Sequence, residues 1–180
     1  MNPKVKRLTT AAALLAICIV SQFFKNTSVF ITGPIINTCI IICVMACGLP
    51  WAILLSIVTP VTAFIITGAP VMKVIPGIMP LIMVGNALLA LGVWIIARKK
   101  KTSKNLLIGS CIGSVIKAVF MALTISYGLL LTTALPEKMA PMLPKLQFTY
   151  SVVQLITAFV GTALAAVIWI PLNKSADNPE

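Results

Sequence analysis

The side chains in this sequence that could do chemistry are few, and they sit in apolar surroundings: Asn37, Asn86, Lys117, Tyr150 and Gln154. Lys117 is the most telling of them, because residues 106–131 otherwise read as a membrane span. A Lys at the centre of a spanning helix costs ~2.5–3.5 kcal/mol on insertion scales and is a functional-site hypothesis by default. No acid lies in any apolar segment to pair with it. A carboxylate or phosphate arriving with a ligand would therefore complete the site. The three amides and the phenol are groups that orient a ligand by hydrogen bonding inside apolar walls. Each amide also has a plainer use, bonding across helices to hold a bundle together.

Other chemistry is excluded by residue type. There is no His, and the only acids are Glu137, Asp177 and Glu180. General acid/base catalysis, metal-assisted hydrolysis and a Ser-His-Asp triad all need residues missing from the spans, so no catalytic residue, metal ligand or cofactor is expected and the chain is not read as an enzyme. Cys39, Cys43 and Cys47 recur at every fourth position on one helix face. Without a His partner they are a weak metal pattern and fit small apolar core residues better. No G-x-x-x-x-G-K-[ST] sequence occurs, so ATP is not bound through a P-loop.

The elements that must position these groups are membrane helices. The chain is 59% hydrophobic and 9% charged, against about 25% charged for a soluble domain. Six apolar segments, at about 8–24, 34–47, 50–66, 79–97, 105–134 and 146–171, predict an all-α integral membrane protein, a single six-helix bundle with a polar tail at 172–180. Gly48-Leu49-Pro50 ends one helix and opens the next, which makes the second and third a tight hairpin.

Charge sets the expected orientation. Lys4, Lys6 and Arg7 precede the first span, Arg98, Lys99, Lys100, Lys101 and Lys104 follow the fourth, and Lys174 follows the sixth. By the positive-inside rule these nine residues place both termini in the cytoplasm, leaving Lys25, Lys73, Lys138 and Lys145 for the outer loops. The formal charge of +11 is thus read as topology, with anionic lipid headgroups as a second contact and nucleic acid excluded as a partner. The basic start followed by apolar 11–20 also resembles a signal peptide, but Ile17 stands before Cys18 where a lipoprotein box needs a small residue, and the segment is kept as the first helix.

At 1.5 Å per helical residue, Asn86 lies ~10 Å, Gln154 ~12 Å and Lys117 ~12 Å below the outer surface of a ~30 Å core. Asn37 is expected near the outer start of the second helix, and Tyr150 one turn above Gln154. A common depth on different helices predicts a cavity open to the outside, with the loops at 24–33, 67–78 and 133–145 as a lid. Ala12 and Ala16 give the first helix a flat face on which another helix could pack, inside or outside the bundle. The rows Gly109/Gly113, Ser110/Ser114/Ala118/Ala122 and Ala158/Thr162/Ala166 are expected to serve internal packing.

Lys6-Arg7-Leu8-Thr9-Thr10-Ala11-Ala12 with Ala16, Gly33-Pro34-Ile35-Ile36-Asn37, and Val84-Gly85-Asn86-Ala87, together with the six-span layout, resemble the substrate-binding S components of energy-coupling factor (ECF) vitamin transporters. The resemblance covers essentially the whole chain. It implies a multi-pass protein of the prokaryotic plasma membrane that captures a vitamin or related micronutrient outside. It further implies docking through the alanine face onto a scaffold membrane subunit that carries two ATPase subunits. In that family the site uses outer loops and the outer parts of helices four to six, which would include Asn86, Lys117, Tyr150 and Gln154. Two other classes stay open on the residues alone: a self-sufficient secondary transporter, although no repeat relates 1–90 to 91–180, and a non-transporting membrane assembly or scaffold protein.

Overall fold

A computed structural model describes residues 2–24, 28–133, 135–137 and 139–177, with side chains to Leu172. Lys25, Lys138 and Glu180, and the side chains of Lys174 and Asp177, lie outside the described residues, as does Ala134 at the expected end of the fifth span. Helices α1 (Pro3–Gln22), α2 (Val29–Cys47), α3 (Leu49–Thr67), α4 (Pro70–Val74), α5 (Ile78–Ala97) and α6 (Ser103–Met121) follow in order. A π-helical stretch, Ala122–Leu129, carries α6 into α7 (Leu130–Thr132). A 3-10 turn, Ala140–Met142, then leads into α8 (Leu143–Tyr150) and α9 (Val152–Asp177). Among the described residues six helical segments are long and apolar enough to cross a membrane, and there is no strand. The expected all-α six-span bundle is the fold observed.

Several boundaries differ from those read in the sequence. Pro34 does not open the second helix but lies inside it, because Ser28 caps the start by accepting from the Phe30 N–H. A proline in the first turns forfeits only one intrahelical bond, and membrane helices tolerate this. The first helix begins five residues earlier than 8, where Asn2 caps the Lys4 N–H at 3.0 Å. The sixth span is two helices, broken at Ser151 (φ −116°, ψ −89°). Helix α9 continues to Asp177, so the expected tail at 172–180 is helical for most of its length.

Close packing comes from small residues. A Cβ on Gly92 would lie 2.6 Å from the Cα of Gly113, and one on Gly113 would lie 2.8 Å from the Leu89 carbonyl, so α5 and α6 touch backbone to backbone. Helices α2 and α9 meet in the same way, where a Cβ on Gly161 would lie 2.7 Å from Asn37 Cβ and one on Gly33 2.8 Å from Thr157 Cβ. Thr38 Oγ1 donates across this contact to the Gly161 carbonyl at 3.0 Å. Cys18, Cys39, Cys43 and Cys47 are buried in the larger apolar core with Ile40, Met45, Leu89 and Leu106. A second apolar core, around Met72, Ile78, Met121, Ile125 and Leu146, lies towards α4 and α8.

The basic segments gather at one end. Lys101 Nζ donates to the Met45 carbonyl near the C-terminus of α2 at 2.5 Å, Trp169 Nε1 donates to the Lys101 carbonyl at 3.4 Å, and Cys47 Sγ donates to the Arg7 carbonyl. Arg98 stacks 5.2 Å over Trp94, an arrangement that suits an aromatic belt at a membrane interface.

Gly92→Ala drives a methyl group into the α6 backbone and is expected to cost ~1–3 kcal/mol, the usual range for overpacking. Thermal unfolding in detergent micelles measures this; an unchanged midpoint would contradict the α5–α6 contact.

Candidate functional site

The Lys117 side chain is 3% exposed and Asn37 1%, and they are joined: Lys117 Nζ donates to Asn37 Oδ1 at 2.6 Å. The pair exists because α2 is fixed against α9 by Gly33 and Gly161 while Gly85 of α5 leaves room beside α6. A Cβ there would lie 2.9 Å from Met121 Cγ and 3.7 Å from Lys117 Cγ. Asn37 is thus two turns inside α2, deeper than the outer helix start where the sequence put it, because the helix starts at Val29.

The bond leaves donors over. An ammonium has three N–H groups, and among the described residues Lys117 has one acceptor. Asn37 Nδ2 is buried with no partner. Lys117 and Asn37 both line a cavity of about 120 Å³ that is also lined by Asn86, Gln154 and Tyr150. The structure therefore brings all five polar residues singled out in the sequence around one space. Asn86 is buried at 4%; Tyr150 and Gln154 are half-buried. Gln154 Nε2 donates to the Thr149 carbonyl at 3.3 Å, which steadies the joint between α8 and α9.

Several walls were not visible in the sequence. Thr32, Gly33, Ile36, Met72, Ile82, Met121 and Thr149 also line the cavity. Met72 belongs to α4, in the loop read as part of a lid, and Thr149 adjoins Tyr150; no residue-type signal distinguishes the rest from core. Helix α8 is held over the cavity by a reciprocal pair of bonds to the π-helical stretch, Ser126 Oγ to the Gln147 carbonyl at 3.0 Å and Gln147 Nε2 to the Ser126 carbonyl at 3.2 Å. The arrangement presents a positive, donor-rich end and mostly apolar walls, which suits a compact organic anion. Among the described residues no group of His, Cys, Asp or Glu could hold a metal.

Ala12 and Ala16 lie elsewhere, on the exposed face of α1, while their neighbour Ala11 is buried. The internal packing use left open for this pair is therefore not the one observed.

Asn37→Ala removes the acceptor from a buried ammonium and is expected to cost ~1.5–3 kcal/mol. Adding Lys117→Met should recover much of the loss, since replacing both members of a buried polar pair is nearly neutral. A double-mutant cycle read by thermal unfolding tests the coupling.

A family model described as "ECF transporter, substrate-specific component" matches residues 6–173 of the chain. No curated protein and no solved structure matches it.

Proposed function

The chain belongs to the substrate-specific components of ECF transporters, and on that premise we propose that it captures a vitamin or related micronutrient whose anionic group is held by Lys117. A substrate-specific component is the substrate-binding membrane subunit of a transporter and not an enzyme. The observation that carries the finer reading is the donor-rich lining of the cavity, where the Lys117 ammonium has only Asn37 Oδ1 as acceptor among the described residues and the Asn37 Nδ2 group has none, in a span without acids. A carboxylate seated there accepts from both, neutralises the charge and exchanges its own hydration for charge-assisted bonds. Asn86, Gln154 and Tyr150 then orient the rest of the ligand.

Size supports a compact substrate. The cavity holds about 120 Å³, whereas pockets for drug-sized ligands run to ~300–1,000 Å³. A larger substrate requires Met72 of α4 and Tyr150 of α8 to move outward, and both stand on short segments joined at Gly68 (φ +58°) and Ser151.

The basic end of the bundle faces the cytoplasm under the positive-inside rule, and the cavity lies beyond Lys117, at the opposite end. Substrate then enters from outside a prokaryotic plasma membrane. Energy comes from partners: the exposed Ala12/Ala16 face of α1 receives the scaffold membrane subunit, which brings two ATPase subunits. Near Ala12 this face is continuous with an apolar groove whose walls include Leu8, Leu15, Trp51 and Leu54. A close helix approach in lipid needs such small residues.

Two measurements test this. Mass spectrometry of the detergent-purified protein should find a small anionic molecule that Lys117→Met no longer carries although it inserts and folds; equal occupancy in both proteins removes Lys117 from the site. In membranes, Ala12→Leu with Ala16→Leu should abolish copurification of the ATPase subunits while ligand occupancy is kept.

A further inference from the structure

Helix α3 carries a polar group that the Lys117 site does not use. Buried serines and threonines of membrane helices normally donate to a carbonyl one turn back, and here Ser56, Ser110, Thr157 and Thr162 do so. Ser114 and Ser126 bond to other helices instead, whereas Thr59 is 1% exposed and its Oγ1 has no partner. It lines a second cavity of about 70 Å³ between α3 and α5, together with Pro60 and Ala63.

The two cavities adjoin. Ile36, Met72, Ile82 and Asn86 line both, so the chambers share these walls, and Met72 is an unbranched, adaptable one. The chambers differ in chemistry. The first is lined by Lys117 and Asn37, which carry donors to spare; the second is lined by Thr59, whose unpartnered hydroxyl can both donate and accept. Between them the walls are apolar except for the Asn86 amide.

We propose that the second chamber is a specificity subsite, in which Thr59 receives a neutral hydroxyl or carbonyl group at the end of the ligand remote from its anionic group. This rests on the reading of Lys117 as the anion-binding residue, and it narrows the substrate class to a compact acid with a polar group at its far end. Thr59 selects by hydrogen bonding: an analogue without the remote group leaves the buried hydroxyl unanswered, which is how sites built for a polar group reject analogues that lack it. Asn86 shares the chamber with Thr59, and Gln22 is a further competing partner. Its Nε2 donates to the Thr59 carbonyl at 3.0 Å and its own Oε1 is unpartnered, so a rearranged Thr59–Gln22 bond is the alternative.

The test uses the full chain in lipid nanodiscs with butanoate, pentanoate and hexanoate and their ω-hydroxy counterparts as probes, binding read by calorimetry and thermal shift. Wild type should bind at least one hydroxy acid about two- to tenfold more tightly than the plain acid of equal length, the range of one hydrogen bond. Thr59→Val should lose that preference while still binding the plain acid, and Thr59→Ser should keep it. Plain acids that bind through Lys117 with no hydroxy preference in wild type overturn the subsite alone. Acids that fail to bind wild type, or that bind Lys117→Met equally, overturn the anion site and the subsite with it. Thr59→Val and Gln22→Leu lowering stability equally with the hydroxy preference intact would show that Thr59 answers only Gln22.

Discussion

A positive charge inside a bilayer-spanning bundle must meet oxygen, and the molecule is arranged around the one place where it does. Lys117 reaches Asn37 from another helix, and this needs α2, α5, α6 and α9 to stand closer than side chains usually allow. Glycines at 33, 85, 92, 113 and 161 provide the closeness, each where a Cβ would enter a neighbouring atom's space. Packing and site are therefore one problem. The contacts that bring the backbones together also fix the depth and direction of the only intramembrane cation in the sequence.

The two ends of the bundle have different constructions. At the basic end, Lys101 satisfies a carbonyl in the last turn of α2, and Trp94 and Trp169 hold the loop that carries it. Unpaired carbonyls in a last helical turn favour a cation, so this end is both capped and anchored at the interface. The cavity end is assembled from short pieces, α4, α7 and α8, tied by side-chain bonds such as those between Ser126 and Gln147. Short helices with few apolar contacts open at lower free energy than long ones, which places the adaptable half of the molecule around the ligand space.

Hydropathy and charge made the six spans legible, because length and apolarity are what a bilayer demands of each segment. Lys117 was legible for the same reason, as a costly exception, and depth counting grouped Asn86, Tyr150 and Gln154 with it. The pairing of Lys117 with Asn37 was not, since it joins residues 80 apart in sequence and depends on how far α2 extends beyond Pro34. The proline looked like a helix start because that is where proline is favoured, while the weaker-looking Ser28 set the boundary. Thr59 gave no signal at all: a threonine in a span satisfies its hydroxyl on its own helix unless the rotamer says otherwise, and composition carries no rotamer. The break at Ser151 was hidden by the continuous apolarity of the sixth segment.

The π-helical stretch at Ala122–Leu129 has a consequence for how this chain can change length. Its hydrogen bonds skip one residue more than those of an α-helix, so it stores a spare residue just outside the Lys117 turn. Losing one residue there would tighten the stretch into ordinary α-helix and leave everything from Ser103 to Met121 in place. The same loss inside α6 would rotate each residue beyond it by about 100° and turn the ammonium away from Asn37. The slack coil is thus the place in this span that can give up a residue, and the rest of the helix is held to a fixed count.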